Sequence, residues 1–230
     1  MDGSDLSNMT DEERFALARE FASRIRDSLP RELYAGSFTL KSKIPYKAAS
    51  LREVLIHRVS DLADAAIAQT ADGKLVPAFV TTRSVVETTA MMYWLWKKSR
   101  EFLDSRDEKK YDEFLMRGML GSRDDTTPHQ SLSVLTAVDH LDREFDGLRK
   151  MYDTLCEFTH PNWSGAMGAY SRMDEEAFTL YLGKEHASPP LAYGLGPLIG
   201  SLAICQDYYD ATAELLQSIN TRYEENSDSA

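Results

Sequence analysis

Two sets of side chains in this chain have the types and spacing that chemistry uses. Arg83 and Glu87 are four residues apart, so on a helix they share a face about one turn from each other and can pair directly. A guanidinium held by a carboxylate is a binder for an anionic group such as a phosphate. The second set is Tyr152, Cys156 and His160, again four apart, followed at once by Pro161-Asn162-Trp163. Histidine titrates near neutrality and is favoured, when protonated, in the last turn of a helix. With a phenol, an amide and a flat aromatic beside it, it could act as general acid/base on a phosphodiester. Arg83 would stabilise the phosphate charge, held by Glu87, with Tyr152 and Asn162 orienting the groups and Trp163 stacking a base. The plain structural alternatives are an intrahelical ion pair for Arg83–Glu87 and a helix C-cap for His160.

These groups need elements to position them. Arg83 and Glu87 lie within Leu75–Lys98, a segment apolar nearly all the way round, which belongs at the centre of a bundle. Thr10 with Glu13 spells a capping box and opens a first helix that stops near Pro30. A second helix is expected over about 47–70, with a possible cap from Ser50 and Glu53, then a turn at Ala71-Asp72-Gly73. A shorter amphipathic helix ends near Leu120, and Gly121–Pro128 is a loop. From Ser131 to His160, apolar residues recur every three or four positions, which predicts one long helix stopped by Pro161. Alternation around Glu175-Glu176 predicts a small β-hairpin over about 166–183. A last helix runs to about Glu224, with Gly196 and Gly200 open to close approach by a neighbour. The reading is mainly α: a bundle of five or six helices with one small β-hairpin, a single domain over 10–224, with loose ends at 1–9 and 225–230.

Net charge is −11, from 37 acidic and 26 basic residues, which opposes non-specific binding to DNA or to an anionic membrane. The longest uncharged run, 187–206, carries three prolines and reads as a buried helix rather than a membrane span. Two unpaired cysteines and a polar, acidic N-terminal stretch point to the cytoplasm. Cys156 and His160 have helical spacing for two metal ligands, but no second ligand pair completes a site, so neither metal nor cofactor is expected. The apolar surplus at Met91, Met92, Trp94 and Trp96 points to a homodimer.

Arg83-Ser-Val-Val-Glu87 together with Tyr152…His160-Pro-Asn resembles a group of uncharacterised bacterial helical proteins, distantly similar to the HEPN class (higher eukaryotes and prokaryotes nucleotide-binding). The resemblance covers about residues 50–220. It implies an all-α, dimerising protein that binds RNA or a nucleotide phosphate, and a metal-independent endoribonuclease of toxin or antiphage systems. Such enzymes use an Arg-x(4–6)-His motif, whose spacing is met here by Arg52…His57 and Arg123…His129. On a regular helix Arg52 and His57 point about 140° apart, and Arg123…His129 spans a proline in a loop. The competing expectation is a non-catalytic, homodimeric interaction module in which Arg83, Glu87 and His160 hold the bundle together.

Overall fold

The computed structural model describes residues 6, 8–124, 126–186 and 190–225. The chain is mainly helical, with eight α-helices among the described residues and one two-stranded antiparallel sheet. The helices are α1 (Asp11–Ser28), α2 (Ile44–Ala71), α3 (Leu75–Ser105), α4 (Glu108–Leu120), α5 (Val134–Asp142), α6 (Leu148–Thr159), α7 (Gly168–Tyr170) and α8 (Ala192–Glu225). The strands are β1 (Ser171–Asp174) and β2 (Thr179–Leu182). The count exceeds the expected five or six helices, because one predicted helix is two and a single turn precedes the hairpin. The ends expected to be loose fall mostly outside the described residues.

α3 is the centre of the bundle, as its all-round apolarity predicts. It packs on α2 and α8 most extensively, then on α5, α6 and α4. Phe79, Val85, Val86, Ala90, Met92, Tyr93, Trp94, Leu95 and Phe102 are all buried along it. A fully buried side chain of this size stabilises the fold by about 1.5–3 kcal/mol. Of the four residues on which a homodimer was expected, Met92 and Trp94 belong to this core, and Met91 and Trp96 are half-buried against it. No helix among the described residues is long and apolar enough to cross a membrane.

The local signals that hold are those made by hydrogen bonds. The Glu13 amide donates to Thr10 Oγ1 at 3.2 Å, and Glu13 Oε2 accepts the Thr10 amide at 2.7 Å, closing the capping box. The signal at Ser50–Glu53 does not form a cap. α2 already begins at Ile44 with Pro45 in its first turn, so Ser50 is interior and its hydroxyl donates to the Tyr46 carbonyl at 2.8 Å. The expected helix over 131–160 breaks at Gly147, whose φ of +87° a residue with Cβ rarely adopts. There Asp142 Oδ1 accepts the Arg149 amide at 2.8 Å, capping α6. Leu135 and Phe145, which lie on the apolar periodicity that suggested one helix, are exposed. Gly196 and Gly200 have no neighbour within 4 Å of an added Cβ. Gly194 is the close-approach position instead, where an added Cβ would come 2.6 Å from the Phe79 ring.

Candidate functional site

Two helix faces meet where the sequence placed its chemistry. Arg83 and Glu87 project from α3 toward Tyr152 on α6. Arg83 donates to the Tyr152 hydroxyl from Nε (3.3 Å) and Nη2 (3.1 Å), and the hydroxyl donates to Glu87 Oε1 at 2.9 Å. Arg83 Nη2 also lies 3.1 Å from Glu87 Oε1, with about a quarter of each side chain accessible (27% and 23%). Tyr152 itself is buried, 2% exposed. Burial and the nearby Glu87 charge push its phenol up to about 12, against the opposing pull of the Arg83 hydrogen bond. Burial works against the Arg83 charge, but the Tyr152 hydrogen bond and Glu87 outweigh it and hold its pKa above the usual value. The three side chains thus pair with one another across the helix contact, while part of Arg83 and of Glu87 stays accessible to solvent.

His160 does not join it. Phe79 packs against Phe158 with ring centroids 4.8 Å apart, while Arg83 meets Tyr152, so α3 and α6 run antiparallel. His160 lies eight residues beyond Tyr152, which is about 12 Å along the axis of α6. Its backbone caps α6, with its amide donating to the Cys156 carbonyl at 3.2 Å. Its side chain is exposed and forms no hydrogen bond, ion pair or ring contact with another described residue. The four-residue spacing from Tyr152 through Cys156 to His160 covers two helical turns and ends on the extended C-cap, which carries His160 away from Tyr152. Arg83, Glu87 and Tyr152 are brought together, and His160 stands apart.

Asn162 serves the turn that follows. Its Oδ1 accepts the Gly165 amide at 3.1 Å, capping a single π-helical turn, Trp163–Met167, and its Nδ2 donates to Glu157 at 2.6 Å. Gly165 is required there, because an added Cβ would sit 2.1 Å from the His160 carbonyl oxygen. Trp163 is 73% exposed. Cys156 is half-buried and Cys205 is buried, with burial raising the Cys205 thiol to about 12.

The alternative motif separates as its helical angle predicts. Arg52 donates from Nε to the Tyr209 carbonyl on α8 at 2.9 Å and lies over the Tyr209 ring, 3.4 Å from its centroid. His57 Nε2 instead contacts the Pro30 carbonyl oxygen at 2.8 Å, tying α2 to the end of α1. Arg52 also pairs with Glu53, which accepts the Tyr209 hydroxyl at 2.7 Å. Arg52–Glu53–Tyr209 is therefore a second Arg–Glu–Tyr trio, joining α2 to α8 as the first joins α3 to α6. Its signal was hidden because Tyr209 is 156 positions from Glu53 in sequence. His140 is half-buried against Trp94, with ring centroids 5.4 Å apart.

Comparison with known proteins gives no matching family model, no matching curated protein and no matching solved structure. Three concavities lie away from the trio. One of about 300 Å³ is lined by Lys98, Phe102, Lys110 and Tyr111, and one of about 410 Å³ by Phe15, Arg19, Leu191 and Leu195. A third, of about 360 Å³, holds His57 with Arg26, Arg58 and Asp64. None of the three is lined by Arg83, Glu87, Tyr152 or His160. No group of three or more His, Cys, Asp or Glu among the described residues is arranged to hold a metal ion.

Exposed apolar side chains concentrate in another place. Trp163, Met167, Met173, Phe178, Leu180 and Leu182 lie within 20 residues of chain and range from 43% to 89% exposed. β1 packs against the Trp163–Met167 turn, so the segment is continuous in space as well as in sequence.

Proposed function

We propose that the chain is a non-catalytic helical interaction module: the Arg83–Tyr152–Glu87 trio holds the bundle, and the segment 163–182 is its contact surface. The observation that carries this reading is the internal pairing of Arg83. Its guanidinium is already bonded to Tyr152 and Glu87, while the one histidine proposed to share its site stands about two turns away. Supporting it, six large apolar side chains stand exposed within the 20 residues 163–182, a concentration of the kind that marks interaction surfaces.

The nucleotide reading retains a specific support. His160 and Trp163 are both exposed on one turn, where a stacked base and an acid/base group would be neighbours. In that HEPN-like form the protein binds RNA and His160 drives metal-independent cleavage. Incubation of purified protein with total RNA and tRNA, beside a His160→Ala variant, separates the two readings. The module reading expects no cleavage by either protein. Cleavage by the wild type that is lost in His160→Ala overturns it in favour of the ribonuclease.

A further inference from the structure

The hairpin has one face of each kind. Directly opposed residues of an antiparallel pair share a face, and the register is Ser171↔Leu182, Arg172↔Tyr181, Met173↔Leu180 and Asp174↔Thr179. Met173, Leu180 and Leu182 therefore project from one side, with Ser171. Arg172, Tyr181, Thr179 and Asp174 project from the other, where Arg172 lies 5.1 Å from the Tyr181 ring centroid and Tyr181 packs on His186 at 5.4 Å. The apolar side is left in water: Met173 is 55%, Leu180 43% and Leu182 69% exposed.

The edge of β2 is open as well. β1 is flanked by the Trp163–Met167 turn and by Lys184–His186, whereas no described element other than β1 packs substantially on β2. The Gly183 amide donates to the Tyr170 carbonyl at 2.8 Å, which fixes the phase of the ladder. Hydrogen-bonded pairs alternate along an antiparallel pair, so Tyr181 and Thr179 turn their backbone groups toward β1. Leu180 and Leu182 turn their N–H and C=O groups outward, away from the sheet. Folded proteins blunt such edges with charge, proline or a bulge, and Thr-Leu-Tyr-Leu carries none of these.

We infer that β2 pairs edge to edge with β2 of a second copy of this chain, antiparallel about a two-fold axis through Tyr181, with Leu180 opposite Leu182 of the other copy. This rests on the interaction-module reading and names its partner. The phase allows that register, because it sets the outward groups of Leu180 against the outward groups of Leu182. It uses only the extended residues 179–182 and Gly183, and not Phe178, whose φ is +49°. The strand brings no charge to the axis, so two copies of a chain with net charge −11 meet without like charges opposed. The result is a four-stranded sheet in which Met173, Leu180 and Leu182 of both copies form one continuous apolar strip.

Sedimentation velocity over a range of concentrations tests this on the full chain. Wild type is expected to show a monomer–dimer equilibrium, and Leu180→Lys and Leu182→Glu to weaken it at least about tenfold each. Because both side chains are exposed, each variant should keep the wild-type circular dichroism and melting temperature. Mixing Leu180→Lys with Leu182→Glu should restore association, since lysine then faces glutamate across the axis. In a Cys156→Ser background, Tyr181→Cys should form an intermolecular disulfide under mild oxidation, whereas Thr179→Cys should not. A chain monomeric at all concentrations overturns the inference, as does a dimer unaffected by both substitutions or one cross-linked through 179 rather than 181. A dimer that ignores both substitutions leaves the module reading intact, and that reading falls instead to RNA cleavage dependent on His160.

Discussion

Replacing Arg83 with methionine separates a scaffold from a site. The substitution keeps most of the aliphatic stem and removes two hydrogen bonds to Tyr152, of 3.3 and 3.1 Å, and the ion pair to Glu87 at 3.1 Å. Hydrogen bonds to a charged group contribute about 1.5–3 kcal/mol when buried. With about a quarter of each charged side chain accessible, solvent screening reduces the ion pair toward the value of an exposed one, up to about 1 kcal/mol. Glu87 is not stranded, because the Tyr152 hydroxyl still donates to it at 2.9 Å. The expected net cost is about 1–2 kcal/mol, a fall in melting temperature of about 2–8 °C for a chain of this size. Urea unfolding should give the same loss with an unchanged m-value. Arg83→Met/Glu87→Met also takes the acceptor from the buried Tyr152 hydroxyl, so it should be no more stable than Arg83→Met, yet lose less than the sum of the two single variants, with a coupling of about 1 kcal/mol between the two positions. A single variant as stable as the wild type, or more stable, refutes the reasoning. It would mean that Arg83 is held at a cost to the fold, as groups kept for binding or chemistry are.

Two further outcomes follow from the same packing. Burial raises Tyr152, Tyr208 and Tyr223 to about 12 from the ordinary 10, with Glu87, Glu144 and Glu108 respectively adding to the shift. The folded state then holds protons that the unfolded chain releases near pH 10. The stabilisation is complete below pH 10 and is lost as pH rises toward 12, and tyrosinate absorbance should show these phenols ionising late, together with unfolding. Gly194→Ala drives a methyl into the buried Phe79 ring and should destabilise by about 1–3 kcal/mol. Gly200→Ala, on the same helix with nothing within 4 Å, should stabilise by about 0.5–1 kcal/mol. Paired thermal melts check both, and equal effects at the two positions would contradict the packing described.

What the sequence made legible was whatever short-range hydrogen bonding or uniform burial determines. The Thr10–Glu13 box, the turn at Gly73 and the central position of α3 follow from their own residues. The break at Gly147 did not, because Leu135 and Phe145 keep a helical spacing while facing solvent, so periodicity overran the turn. The candidate site was half legible for a related reason. A four-residue spacing assigns Tyr152 and His160 to one face, but only the antiparallel packing of α6 on α3 decides that Tyr152 meets Arg83 and His160 does not. Tyr209 was beyond reach altogether, since nothing local to it signals Arg52 and Glu53. The hairpin was legible, but its orientation was not: alternation gives two faces, and only the fold says that the apolar one looks outward.

Amide hydrogen exchange at β2, followed by NMR as protein concentration is raised, bears most directly on the claim that this chain works through its contact surface. The amides of Thr179 and Tyr181 are turned toward β1, and their protection should vary little with concentration. The amides of Leu180 and Leu182 point out of the sheet, so the account predicts fast exchange in dilute solution and protection that grows with dimer population. Fast exchange at Leu180 and Leu182 at every concentration, in a sample whose sedimentation shows it associated, would contradict it.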